Sequence, residues 1–190
     1  MHQPIAMHIA NSALSQLVIV DMQVKLAPVM PLTMPLIIKN CGILVQAAKY
    51  LNVATVVTEQ YPKGLGETLP EIKQFLAHHQ PIAKTAFSAC GEPKFIQQLS
   101  RDQSQIILTG MEAHICVLQT ALGLLQLGKQ VFIVEDAVVS RNDDHKKNAM
   151  ARMREVGCIV TNTESVLFEW TGNANHESAK AIFNLIKHTP

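Results

Sequence analysis

A chain of 190 residues suits one domain with a single hydrophobic core. Hydrophobic residues make up 48% of the chain and charged residues 16%, and the formal net charge is +1. A nearly neutral chain without a basic cluster has no electrostatic reason to bind nucleic acid or an anionic membrane surface. We therefore expect no nucleic-acid partner and no membrane partner.

The cysteines and the N-terminus bear on the compartment. Four widely spaced cysteines form no CxxC pair and no zinc-like pairing with histidine, namely Cys41, Cys90, Cys116 and Cys158. No Lys or Arg precedes Lys25, so the start lacks the charge of a signal peptide. Both features favour a cytoplasmic protein with free thiols. We expect one domain over residues 1–190, with a loose tail at 1–13.

Short Val- and Ile-rich runs alternate with longer amphipathic segments along the chain. Six runs are almost continuously apolar, as strands of a parallel sheet covered on both faces should be: 16–22, 53–59, 81–87, 105–110, 130–136 and 158–162. The segments between them carry apolar residues at the helical period. Strands joined by helical crossovers predict an α/β fold, a three-layer α/β/α sandwich around a doubly wound, six-stranded parallel sheet.

Helix ends are marked by small and polar residues. Asn52 can end the first long helix in the left-handed conformation. The segment 116–127 is apolar nearly all round, which predicts a buried helix that stops at Gly128. Ser140 and Asp143 have the spacing of a capping box for the next helix.

Three reactive side chains stand where predicted strands end. Asp21 ends the first strand, Lys84 lies near the end of the third, and Cys116 follows the fourth at the start of a helix. In a doubly wound sheet the binding site lies beyond the carboxyl ends of the strands. Alone, each residue has an ordinary explanation as a cap, a surface lysine or a core thiol. Their placement on one rim favours a shared site.

Five sequence blocks, in order, resemble a known family. The blocks are VIVDMQ, VVTEQYPKGLGET, IAKTAFSA, ILTGMEAHICVLQTAL and VEDAVVSR, within about residues 14–168. They resemble the isochorismatase-like cysteine hydrolase superfamily, and TEQYPKGLG is similar to its isochorismatase-domain-containing subgroup. The resemblance implies the strand order 3-2-1-4-5-6 and a catalytic triad of Asp21, Lys84 and Cys116. It also implies a hydrolase that cleaves a small amide or related C–N acyl bond through a thioester.

The chemistry of such a triad can be stated for these residues. A helix N-terminus and the Lys84 ammonium should lower the pKa of the Cys116 thiol, which makes it a nucleophile. Asp21 would accept the thiol proton and return it to the leaving group. The resemblance further implies a cis peptide bond at Met111–Glu112. It places the oxyanion hole at the backbone N–H groups of Glu112 and Cys116.

The same comparison bears on cofactors and on the pocket. Nicotinamidase-like members carry an Asp-x-His pair that helps bind a metal, whereas this chain has Thr-Glu-Gln-Tyr-Pro at 58–62. We therefore expect no metal and no cofactor, and nicotinamide is disfavoured as the substrate. The candidate residues for a small-molecule pocket follow strand ends or precede the nucleophile: Gln23, Gln60, Tyr61 and His114. His114 is also a candidate second base.

Two smaller predictions lie outside the triad. We interpret Asp136 as a cap for the following turn or as a partner of Arg141. Proteins of this family are commonly homodimers or larger homo-oligomers, and the apolar loop 27–35 and the C-terminal helix are candidate contacts.

Two other functions stay open. A non-catalytic relative could use the fold as a binding or interaction module, although it would have no physical reason to keep a costly Asp–Lys–Cys cluster. A redox sensor would use Cys116 as its reactive thiol. The lack of a resolving cysteine nearby in sequence disfavours this function, although Cys90 or Cys158 could approach it in space.

Overall fold

Six parallel strands form one sheet in the computed structural model of the protein, which describes residues 8–76 and 80–187. The strands are β1 (Ser15–Val20), β2 (Ala54–Gln60), β3 (Ile82–Lys84), β4 (Gln105–Met111), β5 (Gln130–Val139) and β6 (Ile159–Thr161). They pair in the order β3-β2-β1-β4-β5-β6. The predicted doubly wound sandwich and the implied strand order are confirmed.

Helices cover both faces of the sheet. They are α1 (Met34–Tyr50), α2 (Pro62–Leu65), α3 (Pro70–Lys73), α4 (Pro93–Gln98), α5 (Leu118–Gln126), α6 (Asp143–Glu155), α7 (Thr163–Thr171) and α8 (Ala179–Ile186). Successive β1 residues point to opposite faces, so that Leu17 belongs to one buried cluster and Val18 to the other. None of the helices in the described parts of the chain is long and apolar enough to cross a membrane.

The N-terminal segment is attached to the domain from residue 8 onward. The Ala10 N–H donates to Glu169 Oε2 and the Asn11 N–H to Gln105 Oε1, each at 2.7 Å. Residues 8–13 are therefore not loose, in contrast to the expectation for 1–13. Residues 1–7 lie outside the described part of the chain.

Two helix ends agree with the sequence and one start does not. Asn52 and Gly128 both have positive φ angles, 55° and 75°, and each follows the helix that it was expected to end. The N-cap of α6 is Asn142, whose Oδ1 accepts the Asp144 N–H at 2.8 Å. Ser140 was the wrong choice, because it is fully buried directly after β5 and its hydroxyl contacts His114 instead.

The two central strands approach closely where both end. Gly110 of β4 has a φ of 117°, and a Cβ built on it would lie 2.0 Å from the Val20 carbonyl oxygen of β1. Only glycine fits this position. The close approach places the residues after β1 and after β4 next to each other at the carboxyl edge of the sheet.

Candidate active site

A buried ion pair lies at the carboxyl edge. Asp21 directly follows β1 and Lys84 ends β3, with β2 between these two strands. Lys84 Nζ lies 2.7 Å from Asp21 Oδ2, and both side chains are 0% exposed. The Thr58 hydroxyl of β2 donates to Asp21 Oδ1 at 2.7 Å. The structure thus brings two of the three predicted triad residues into direct contact.

Oxygen atoms surround the Lys84 amino group. Its Nζ donates to Gln60 Oε1 at 2.6 Å and to the carbonyl oxygens of Ala86 and Phe87 at 3.2 and 3.1 Å. A buried cation is costly unless it is paired and hydrogen-bonded. The chain turns after Lys84 to supply these carbonyls, which is why β3 ends at residue 84 and not at 87 as expected.

Cys116 lies inside a π-helical segment, Ala113–Val117, that leads into α5. Its side chain is nearly closed off, with 7% of the residue exposed. Burial, and after it the charge of Asp21, raise the pKa of the thiol to about 12 against the opposing charge of Lys84. The expectation of a lowered pKa is wrong, because desolvation and Asp21 outweigh the lysine.

The Asp21 carboxylate is placed to receive a proton. Its Oδ1 accepts the Thr58 hydroxyl, and its Oδ2 is buried 2.7 Å from Lys84 Nζ. The carboxylate also acts on the Cys116 thiol through its charge and a side-chain hydrogen bond. A buried carboxylate beside a protonated thiol is suited to act as a general base.

The turn before Cys116 is held by an arginine. The Met111–Glu112 peptide bond is cis. The Glu112 carboxylate accepts hydrogen bonds from Arg141 Nη2 at 2.5 Å, from Arg141 Nε at 3.0 Å and from the Arg141 backbone N–H at 3.0 Å. Burial opposes ionisation of Glu112, yet the hydrogen bonds and charge of Arg141 outweigh it and lower the pKa of this carboxyl.

The His114 side chain points toward α6 and in a different direction from the Cys116 thiol. Its Nδ1 lies 2.9 Å from Ser140 Oγ, and its ring centroid lies 4.7 Å from that of His145. Side chains two residues apart on a helix do not share a face, so His114 and Cys116 point differently. Burial is the largest cause of a lowered His114 pKa. A role as second base stays a prediction.

The other candidate pocket residues lie at the end of β2 or contact the loop that follows it. Gln23 is fully buried, and its Nε2 donates to the carbonyls of Gln60 and Gly66 at 3.0 and 2.6 Å. Its amide therefore supports the loop from behind. Tyr61 is 55% exposed, and its N–H donates to the Lys84 carbonyl at 2.8 Å. Gln60 and Tyr61 thus stand beside the lysine.

Asp136 acts as a cap, but for a helix farther along the chain. Its Oδ1 accepts the Thr163 N–H at 2.8 Å and the Thr163 hydroxyl at 2.9 Å, at the start of α7. It does not pair with Arg141, because that side chain is engaged by Glu112. Within 8–76 and 80–187, no group of three or more His, Cys, Asp and Glu side chains is placed to hold a metal ion.

Several residues of the site were missed by the sequence analysis. Thr58, Ser140 and Arg141 contact site residues in the structure. From the sequence, Thr58 has no predicted role, and Ser140 and Arg141 are considered only as a helix cap and as a partner of Asp136. The one available signal was position. Thr58 is a polar residue near the end of an apolar strand, and Ser140 and Arg141 directly follow another.

Known proteins are similar over almost the whole chain. The sequence model of the family described as Isochorismatase domain matches residues 15–165. A zebrafish (Danio rerio) protein named Isochorismatase domain-containing protein 2 is 38% identical over 175 residues, which is 92% of this chain and 87% of that protein.

Solved structures agree with these sequence matches. A structure titled MAR1 ribonuclease from Caenorhabditis elegans has a TM-score of 0.90 and 38% identity, and it covers 95% of this chain and 93% of its own. A structure of YcaC from Pseudomonas aeruginosa, titled as holding hexane-2,5-diol and covalent acrylamide, has a TM-score of 0.84 and 26% identity. That match covers 93% of this chain and 91% of the other.

Proposed function

Because the chain belongs to the isochorismatase family of hydrolases, we propose that it cleaves a small amide or related C–N acyl bond through a thioester on Cys116. One observation carries the proposal. The buried Asp21–Lys84 pair acts by its charges on the Cys116 thiol. Packing alone gives no reason to bury a charged pair beside a thiol, because hydrophobic residues of similar volume are often as stable.

The reaction begins at the thiol. The Cys116 sulfur forms a bond to the substrate carbonyl carbon as the thiol proton passes to Asp21 Oδ2. The carbonyl electron pair moves to oxygen, where the backbone N–H groups of Glu112 and Cys116 form the oxyanion hole. Lys84 stabilises the thiolate as it forms and keeps Asp21 oriented.

The tetrahedral intermediate then breaks its C–N bond. The leaving amine takes the proton from Asp21, and a thioester remains on Cys116. Water attacks this thioester while Asp21 accepts a proton, and the acid leaves as the thiol is restored. All protons move among the thiol, Asp21, water and the substrate, so the proposal calls on no metal ion or cofactor.

The surroundings of the thiol favour a small substrate. Cys116 is almost closed off, so only a narrow acyl group reaches its sulfur. We place Gln60, Tyr61 and His114 at the pocket, with Gln23 behind the loop. The covalent acrylamide of the P. aeruginosa relative supports a reachable nucleophile in that protein, because acrylamide alkylates thiols at its C=C bond.

The test is ammonia release from a panel of small primary amides. Wild-type protein should release ammonia from at least one amide, and Cys116→Ala and Asp21→Asn should not. Cys90→Ala is the matched control, since Cys90 is a partly exposed thiol outside the proposed machinery. Circular dichroism checks the fold of each variant. Equal release by Cys116→Ala would refute the proposal.

RNA is the second candidate substrate, because the C. elegans relative is titled a ribonuclease. The charges argue against it: the net charge is +1, and Lys84 is enclosed by oxygen acceptors and cannot meet a phosphate. A labelled single-stranded RNA should therefore stay intact. If the wild-type protein cleaves this RNA and the Cys116→Ala variant does not, RNA replaces the amide as the proposed substrate.

The remaining alternatives and the assembly state have simple tests. A redox sensor would form a disulfide or sulfenic acid at Cys116 under mild peroxide, whereas all four cysteines are free in this structure. A binding module would keep its partner after Cys116→Ala. We propose a cytoplasmic homodimer or larger homo-oligomer, to be checked by sedimentation, with exposed Val29 and Leu32 as candidate contacts.

A further inference from the structure

The end of β5 holds the nucleophile turn at two neighbouring points. Ser140 Oγ contacts His114 Nδ1 at 2.9 Å, and Arg141 binds the Glu112 carboxylate through its side chain and its backbone N–H. His114 and Glu112 are the residues two and four before Cys116. One short segment therefore fixes the turn from its far side, away from the Asp21–Lys84 pair.

The contact between Arg141 and Glu112 fixes the orientation of the Glu112 side chain. A guanidinium that meets a carboxylate through two N–H groups fixes the plane of that carboxylate, which a single lysine contact does not do. The Glu112 side chain is 4% exposed, whereas that of Arg141 is 56% exposed. The acid is therefore the fixed member, and the arginine covers it from the solvent side.

The position of Glu112 matters because its backbone N–H is one of the two proposed oxyanion donors. An oxyanion donor acts only when it points at the place where the charge develops. A displacement of about 1 Å costs about a hundredfold in rate. A rotation of Glu112 would move the donor while leaving the Cys116 sulfur beside Asp21 and Lys84.

Resting on the proposed function, we propose that Arg141, assisted by Ser140, is a positioning residue that orients the Glu112 N–H toward the developing oxyanion. Arg141 binds Glu112 and is not among the groups that act on the thiol, so its effect on the reaction passes through Glu112. Its loss should slow acyl transfer, which builds up an oxyanion, and spare alkylation of the same thiol, which does not. A merely stabilising role would affect both reactions or neither.

The experiment compares two reagents on one sulfur. p-Nitrophenyl acetate acylates a thiol through a tetrahedral oxyanion and releases p-nitrophenolate, whereas iodoacetamide alkylates it by direct displacement of iodide. The rate of each reaction at Cys116 is measured by mass spectrometry. We expect Arg141→Met to slow acylation about tenfold or more and to change alkylation less than about twofold. Arg152→Met, an exposed arginine of α6, should change neither rate.

A second variant guards against misfolding. Arg141→Met leaves the buried Glu112 charge without its partner, so Arg141→Met with Glu112→Gln removes both charges. This double variant should regain thermal stability and still acylate slowly. Wild-type acylation rates in the double variant would overturn the proposal. So would a parallel loss of both reactions in a folded Arg141→Met protein.

The two proposals fail in different ways. If p-nitrophenyl acetate acylates Cys116 equally fast in the wild-type protein and in the Arg141→Met variant, Arg141 has no positioning role and the hydrolase proposal stands. If wild-type protein shows no acylation that depends on Cys116, both proposals fall.

Discussion

Cys116 holds its proton at neutral pH because burial and Asp21 raise its pKa to about 12. In the proposed reaction the nucleophile is therefore made only when a base removes the proton during attack, and the Asp21 carboxylate is the group that acts on the thiol by charge and a hydrogen bond. This differs from a thiol that is ionised in advance. It protects the sulfur from oxidants and alkylating agents between reactions, since the thiolate is the reactive form.

Asp21→Asn should therefore separate thiol reactivity from turnover. The substitution removes a charge that raises the Cys116 pKa and leaves the charge of Lys84 unopposed, so the thiol pKa falls. Alkylation by iodoacetamide at neutral pH should become faster, by about tenfold for each pKa unit lost. Amide hydrolysis should be abolished, because no base remains.

The pH dependence of alkylation gives the measurement, with Lys84→Met as the opposite control. That variant removes the charge that lowers the pKa, so its alkylation should be slower than that of wild type. Slower alkylation of Asp21→Asn would contradict the assignment.

Some of these features of the site could be predicted from the sequence and others could not, for physical reasons. The meeting of Asp21, Lys84 and Cys116 follows from strand ends, because the carboxyl ends of parallel strands share one edge. The direction of the thiol pKa does not, since it depends on burial that only packing determines. Nor does the Arg141–Glu112 contact, which joins two turns 29 residues apart.

At the scale of elements, the close approach of β1 and β4 decides where the residues of the proposed triad meet. The register pairs Val20 with Gly110, so Asp21 and Met111 follow directly on neighbouring strands. The absence of a side chain at Gly110 permits this contact. The missing Cβ thus shapes the proposed site, because it lets the two strand ends lie close together.

Gly110→Ala should destabilise the protein severely. The new Cβ would lie 2.0 Å from the Val20 oxygen, at a φ angle that alanine rarely adopts, so the two central strands must separate. We expect a loss of about 3 kcal/mol or more in the free energy of unfolding, measured with urea.

Gly128→Ala is the matched control, because its φ is also positive but nothing lies within 4 Å of its Cβ. Its loss should be about 1 kcal/mol, from the backbone alone. Similar losses in the two variants would show that the strand contact is not tight.

Element ends were less predictable than elements. The alternation of apolar runs with periodic segments predicted the six strands, because strands that are buried on both faces of the sheet are apolar along their whole length. The end of β3 depends on the oxygen atoms that Lys84 needs, and the start of α6 depends on which side chain reaches Asp144. Both are decided by contacts that local patterns do not contain. The π-helical segment that carries Cys116 belongs to the same group.

At the scale of the whole molecule, several thiols share one property. Burial raises the pKa of Cys41 and of Cys116 to about 12 and that of Cys158 to about 11. These cysteines lie on both faces of the sheet. In alkaline solution, both halves of the core therefore contain groups that stay protonated when the protein is folded and ionise when it unfolds.

Stability should fall in alkaline solution for this reason. An unfolded thiol loses its proton near pH 8.5, whereas the folded ones hold theirs to about pH 11 or 12. From about pH 9 to about pH 11 the unfolded state binds fewer protons, so the free energy of unfolding falls with pH. Each thiol contributes up to about 1.4 kcal/mol per pH unit.

Below about pH 8 the contribution of these thiols is complete and constant. Urea unfolding at several pH values measures the slope, and Cys41→Ala should make it shallower. An unchanged slope in that variant would show that Cys41 ionises equally in both states.

The strand order also divides the reacting groups between two pieces of chain. Asp21 and Lys84 lie before the connection from β3 to β4, Cys116 lies after it, and Arg101 and Asp102 are exposed within that connection. A cut between those two residues leaves the base and the cation on one fragment and the sulfur on the other. Asp21, Lys84 and Cys116 then come together only when β1 of one fragment pairs again with β4 of the other along their six paired residues. Return of acylation at the thiol would make the protein a reporter of its own reassembly from two polypeptides.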